Sequence, residues 1–309
     1  MNKQQNHFIN YLKQVESNDF HKKYNKVIDV LPDDIIDLSN LIIYGPNNIG
    51  KYCFALKILK KYSNTNLRYE KKVTIISQNI IYTYKISDVH IEIDFEFLGC
   101  NAKILWTNIY NQVYDIACIN PNKKFIILCK NFNKIHSELL ENFYSYMQEN
   151  YFNNISINFI LITNSLSFIP NNIINISKLI CLKLPSKKNL QTYSNIYKSH
   201  VDDLTCKLFI PYKNTADKLL IYIKNYKNQT FNNLRELCYD LLVLQFDIQK
   251  SIKYILDDLI KSKLIKEDNI NDVLIKTYVF IKYFNNNYRP IYHLENYFIN
   301  LIKYIYDIK

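Results

Sequence analysis

Two of the chain's three glycines, Gly45 and Gly50, stand five positions apart, and Lys51 follows the second. Just before them, Leu41-Ile42-Ile43-Tyr44 is a compact apolar run of the kind that forms a buried strand. Just after them, residues 50–62 carry Ala55, Leu56, Ile58 and Leu59 at helical spacing. A strand that turns straight into a helix through a glycine-anchored loop is a narrow structural commitment. Glycine lets the backbone wrap closely, and loop amides with the helix N-terminus make a concavity suited to phosphate. Gly45-Pro46-Asn47-Asn48-Ile49-Gly50-Lys51-Tyr52 therefore reads as a phosphate-binding P-loop, with Lys51 reaching the β- and γ-phosphates of ATP or ADP. In a chain this poor in glycine, chance supplies about 0.003 such loops.

The scarcity of glycine has a companion in arginine, present only as Arg68, Arg235 and Arg289. Lysine, asparagine, isoleucine and tyrosine fill the space, a composition that points to AT-rich coding. At 48% hydrophobic and 15% aromatic residues the chain can bury a sizeable core, which excludes wholesale disorder. Seven cysteines are scattered without a CxxC pair and the six histidines are dispersed. That pattern argues against a disulfide framework or a zinc site and for reduced thiols in an intracellular protein. The apolar runs are too short to span a bilayer, and no signal peptide opens the sequence. A net charge of +11 favours a polyanionic partner, with solvated lysine faces as the competing explanation.

Apolar periodicity gives an amphipathic helix at 3–15, on Phe8, Ile9, Leu12 and Val15. It gives strands at 73–82, 89–94, 124–129, 157–163 and 180–184, with helices at about 101–114 and 136–149. Strands alternating with helices predict an α/β domain with a mostly parallel sheet covered on both faces. The character changes after Pro185. The expected organisation is an α/β domain over 1–185, a short helical lid over 186–230 and an all-α domain over 231–309.

Hydrolytic machinery is missing from the pattern. The residue after a P-loop lysine should be Ser or Thr, to hold Mg²⁺, and here it is Tyr52, with Cys53 next. The strand Phe125-Ile126-Ile127-Leu128 should end near a metal-binding acid, yet it runs into Cys129-Lys130-Asn131-Phe132-Asn133. Lys130 would repel a metal and could pair with a phosphate. Glu138 and Glu141, on the next helix, read as solvated helix residues. The sequence predicts nucleotide binding without efficient turnover, assigns no catalytic residue or metal ligand, and leaves the place of Mg²⁺ open.

Six collinear segments over residues 41–309 resemble the small subunits of the replication factor C clamp loader, a pentameric AAA+ assembly, and among them the one with a degenerate nucleotide site. Leu41–Lys51 looks like that family's LLxYGPxGxGK. Val89–Ile93 followed by Gly99 is similar to its YHLEI segment, and Lys124–Tyr151 to its next strand and helix, with Met147 in register. Phe159–Ser165 resembles the sensor-1 strand, with Asn164 as the sensor. Ile169–Pro185 resembles the IPPIRSRC stretch, and Ile291-Tyr292-His293-Leu294-Glu295 matches IYHLE in the last helix. The resemblance implies an AAA+-like domain, a lid and a helical collar that holds the chain in a hetero-pentamer. It further implies a sliding clamp and primer–template DNA as partners, at a nuclear or cytoplasmic viral replication site. Where the family has the arginine of Ser-Arg-Cys, this chain has Ser177-Lys178-Leu179, so Lys178 becomes the candidate acting on a neighbour's ATP. The family's WVDKYRP box and sensor-2 arginine have no counterpart. His90 and the Tyr292–Glu295 segment read as structural packing. Two other classes stay open on the residues alone: a stand-alone DNA-dependent ATPase, and an interaction scaffold that binds no nucleotide.

Overall fold

The structure is a computed structural model; it describes residues 7–17, 19, 21–47, 49–77, 80–99, 101–119, 124–148, 155–183, 211–243, 247–284 and 289–306. Contacts divide the chain into two compact units, Met1–Tyr197 and Lys198–Lys309. Most of the expected lid, residues 186–210, lies outside the described residues, as do Leu184 and Pro185.

The first unit is built on seven strands: β1 (Asn40–Tyr44), β2 (Lys71–Ser77), β3 (Ile80–Ile86), β4 (His90–Asp94), β5 (Lys124–Lys130), β6 (Ser156–Thr163) and β7 (Ser177–Cys181). They lie in the order β2-β3-β4-β5-β6-β1-β7. The five from β4 to β7 are mutually parallel, while β2, β3 and β4 pair antiparallel. The single strand expected at 73–82 is thus two strands of a hairpin, pairing Val73 with Tyr84 and Ile75 with Tyr82. The strand expected at 180–184 lies earlier, at Ser177–Cys181, because its hydrogen-bonded partner is the whole of β1.

Side-chain alternation splits the core into two layers. On one face, Ile42 of β1, Phe125, Ile127 and Cys129 of β5, and Phe159 and Leu161 of β6 pack under α4 (Ala102–Ile119) and α5 (Ser137–Gln148). There Phe95, Trp106, Phe132 and Phe143 meet with ring centroids 5.0–6.0 Å apart. On the other face, Leu41, Ile43, Ile126, Leu128, Ile160 and Ile162 pack under α1 (His7–Ser17) and α3 (Lys51–Tyr62). Short helices α2 (Asn25–Asp29) and α6 (Asn171–Asn175) complete the unit. A sheet buried on both sides explains why its parallel strands read as continuous apolar runs. Asn158, buried in β6, donates its amide to the Leu38 carbonyl, fixing the chain as it enters β1.

Sheet order also creates the crevice. After β1 the chain leaves for the far edge at β2; after β6 it crosses β1 to reach β7. The segments following β1 and β6 therefore diverge at the carboxyl ends of two adjacent strands, the place where open α/β sheets bind ligands.

The second unit is helical: α7 (Pro211–Lys224), α8 (Phe231–Val243), α9 (Ile248–Lys261), α10 (Ile270–Phe284) and α11 (Pro290–Tyr306). Helix α7 packs on α8 and α9, and α11 on α8 and α10. The stripe of α11, Ile291, Leu294, Phe298, Leu301 and Ile305, is buried in the shared core. Glu295 is buried beside it and accepts from Arg235 Nε at 2.6 Å and Nη2 at 3.3 Å, a two-pronged pair that explains a carboxylate inside a helical core. Among the described residues no helix is long and apolar enough to cross a membrane.

Candidate phosphate-binding site

The loop leaves the carboxyl end of β1 and enters α3, as its sequence required. Its two glycines are needed for different reasons. At Gly45 a Cβ would stand 2.5 Å from the Leu182 carbonyl oxygen and 2.7 Å from Ile49 Cδ1, so only a bare α-carbon fits against the strand-following segment. At Gly50 a Cβ would meet only the His21 ring, in ordinary contact at 3.8 Å, but φ is +89°, a left-handed conformation costly for any residue with a Cβ. Asn47 is exposed and Ile49 buried; Asn48 lies outside the described residues.

Lys51 bends back over the loop, and its Nζ donates to the carbonyls of Gly45 at 2.7 Å and Pro46 at 2.6 Å. Those two bonds use two of the three ammonium protons and hold the charge over the concave side of the backbone. Burial pushes the Lys51 pKa down to about 8. The helix behind it starts at Lys51, so the first amides of α3 have no partner within the helix and carry its positive dipole end. The ammonium and the helix end together put positive charge at one corner of the loop. Asn164, the residue after β6, donates its Nδ2 to Asn47 Oδ1 at 2.8 Å, which brings the expected sensor onto the loop. Pro46 and Tyr52 flank this corner, the first through its carbonyl and the second on the opening turn of α3.

Sequence reasoning missed two groups here. His21 is buried, and its Nε2 meets the Ile49 carbonyl at 2.6 Å, bracing the loop from outside. A lone histidine nearly thirty residues upstream gives no sequence signal of that contact. Glu92 and Asp94, on β4, are the other. Parallel pairing sets Asp94 opposite Lys130 on β5 and Glu92 opposite Leu128, so both carboxylates share a sheet face with the lysine. Lys130 Nζ lies 2.9 Å from Glu92 Oε1, 3.9 Å from Asp94 Oδ2 and 4.7 Å from the centre of the Tyr52 ring. Tyr52 donates its hydroxyl to the other Glu92 oxygen at 3.0 Å, and Asn131 Nδ2 donates to Asp94 at 2.9 Å. Tyr11 of α1 closes over Tyr52 edge to face. Burial opposes the Lys130 charge, but Glu92 and Asp94 outweigh it and hold the ammonium above its ordinary pKa. Burial and the Glu92 charge push the Tyr52 phenol far up, so it stays a neutral donor.

A P-loop fold ordinarily implies Mg²⁺ between the hydroxyl after the loop lysine and an acid on a neighbouring strand. These residues do not fit it. The hydroxyl position is a tyrosine whose proton is committed to Glu92, and the Glu92 oxygens are taken by Tyr52 and Lys130. Among the described residues no group of three His, Cys, Asp or Glu converges as a metal cage. Glu138 and Glu141 are exposed on α5, as expected of solvated helix residues.

Lys178 stands apart from this corner. It is exposed on the edge strand β7, paired with Leu41 rather than Tyr44, three residues and roughly 10 Å below the level of the loop. His90 is fully buried, with Nδ1 2.5 Å from Ser87 Oγ and its ring against Phe8; among the described residues Nε2 has no hydrogen-bond partner. Burial lowers its pKa to about 3, so it is a neutral core residue at pH 7.

Strand order, loop and crevice define a P-loop-like α/β fold with a mostly parallel sheet, followed by a helical unit. No family model and no curated protein sequence matches the chain. Among solved structures it is similar to Saccharomyces cerevisiae RIF2, at 14% identity and TM-score 0.37, over 96% of this chain and 88% of that one. A Thermotoga maritima DNA polymerase III gamma subunit-related protein aligns at 10% identity and TM-score 0.33, over 93% and 92%. A chain in the structure of Drosophila ORC bound to GC-rich DNA and Cdc6 aligns at 10% identity and TM-score 0.29, over 84% and 86%.

Proposed function

We propose that this chain is a nucleotide-binding subunit of an AAA+ clamp loader that does not itself turn ATP over. The observation that carries the reading is the contrast within one corner. Phosphate binding is supported by Gly45 and Gly50, each where a side chain fits poorly, and by Lys51, whose ammonium lies on the Gly45 and Pro46 carbonyls. In the half where hydrolysis would need a metal and an activated water, Lys130 and Tyr52 engage the carboxylates. The segments resembling replication factor C set the assembly: an AAA+-like domain over 1–185, a lid over 186–230 and a collar over 231–309, in a hetero-pentamer with sister subunits. An exposed apolar stripe on α10, Leu274, Ile275, Tyr278, Val279 and Tyr283, supports a collar that packs against other chains. Lys178, exposed at a sheet edge away from its own loop, is the candidate we assign to a neighbour's ATP. The net charge of +11 suits the phosphate backbone of primer–template DNA, read without sequence preference. A sliding clamp is then loaded with ATP hydrolysed by the sister subunits.

The test is ATP binding and turnover by the purified full-length chain, alone and with the chains that co-purify with it. Binding without turnover, lost in Lys51→Ala, is the expected result. Sustained hydrolysis by the lone chain would overturn the reading in favour of a stand-alone ATPase. No nucleotide binding at all would leave a scaffold.

A further inference from the structure

We infer that this site takes its nucleotide free of divalent metal, with the Lys130 ammonium standing in for the cation. The inference rests on the nucleotide-binding reading above and concerns the chemical form of the ligand. In a P-loop the metal bridges phosphate oxygens and offsets their charge beside acidic side chains. Here the acids are present: Glu92, only 5% exposed, and Asp94 lie at the carboxyl end of β4, beside the first turn of α3. Without a cation those carboxylates would repel a phosphate chain. Lys130 supplies that cation from within the protein, 2.9 Å from one carboxylate and 3.9 Å from the other, its ammonium lying over the Tyr52 ring. Lys130 thereby offsets carboxylate charge at Glu92 and Asp94 from within the protein, before any ion arrives.

The same contacts leave a divalent ion little to bind. Mg²⁺ demands near-octahedral oxygen ligands and sheds water reluctantly. To enter, it would have to displace an ammonium from a buried carboxylate and break the Tyr52–Glu92 bond. A tyrosine in the hydroxyl position is then not a defect but the donor that fixes Glu92 toward Lys130.

Full-length protein titrated with the fluorescent analogue mant-ATP, in Mg²⁺ and in EDTA, decides the matter. Dissociation constants agreeing within about threefold are expected. A loss of about tenfold or more in EDTA overturns the inference while leaving the nucleotide-binding reading intact. No binding in either buffer overturns both. Lys130→Met exposes the carboxylates to the phosphates, and about tenfold weaker binding in EDTA is expected, partly restored by Mg²⁺. Unchanged affinity of a folded Lys130→Met protein in EDTA also overturns it. Should that variant not fold, Lys130→Arg, which keeps the charge, must still bind in EDTA.

Discussion

His21 Nε2 meets the Ile49 carbonyl at 2.6 Å, in a buried contact that joins the segment before α2 to the residue preceding Gly50. A carbonyl only accepts, so the imidazole carries its proton on Nε2. The same ring lies 3.8 Å from where a Cβ on Gly50 would sit, so it supports the left-handed turn at Gly50. His21→Ala should cost about 1–3 kcal/mol of stability through the unsatisfied carbonyl. Nucleotide affinity should fall several-fold with it, and chemical denaturation with mant-ATP titration reads both. Unchanged affinity would show that the loop holds its shape unaided.

Gly45→Ala and Gly50→Ala separate steric from conformational need. Gly50→Ala should cost about 1–2 kcal/mol, the penalty of a left-handed residue with a Cβ. Gly45→Ala drives a methyl against the Leu182 backbone, costing about 1–3 kcal/mol and shifting the loop itself. Phosphate affinity should therefore drop further in Gly45→Ala. Equal loss in both would contradict that distinction.

The Lys51 ammonium, held near pKa 8 by burial, makes nucleotide affinity pH-dependent. Phosphate binds the protonated form, so affinity should be level below about pH 8 and weaken above it, by up to tenfold per unit. The free protein behaves in the opposite sense. Between about 8 and the ordinary 10.5 the unfolded chain holds the proton more tightly, so the Lys51 contribution to stability rises with pH. Lys51→Met should abolish both trends; a pH profile that survives it points to another group.

His90 predicts acid sensitivity. With a folded pKa of about 3 against 6.5 in the open chain, the unfolded state takes up a proton that the native state refuses. Its contribution is fully present above about pH 6.5 and drains away as pH falls toward 3. Between pH 7 and 5 the stability difference between wild type and His90→Gln should move by about 2 kcal/mol against the wild type. Urea unfolding at the two pH values measures it, and no movement would mean that a proton reaches the buried ring.

Lys178→Ala should lower the ATPase rate of the assembled complex while leaving assembly intact. Removal of residues 231–309 should abolish assembly. Gel filtration and a coupled ATPase assay read these outcomes, and an unaltered rate would dismiss the trans-acting lysine.

Much of the first unit is legible in the sequence because its signals are local. The loop is bounded by glycines in a chain that has almost none, and β1, β5 and β6 are apolar on both faces because helices cover both. The β2–β3 hairpin reads as one strand because neither Gly nor Pro punctuates Ser77-Gln78-Asn79-Ile80. The pairing of Lys130 with Glu92 is invisible for a different reason. It depends on the register between strands more than thirty residues apart, which no local periodicity encodes. The residues immediately after β5 therefore show no acid, although two lie on the adjacent strand.

The Tyr52–Glu92–Lys130 contact couples the fates of its three residues. Lys130→Asp alone would gather a third carboxylate beside Glu92 and Asp94 with no counter-charge. Tyr52→Ser alone would strip a buried Glu92 of its hydroxyl donor and open a void under Tyr11. Each single step toward a metal-holding site thus passes through a less stable protein, so Tyr52 and Lys130 would have to be exchanged together to make one.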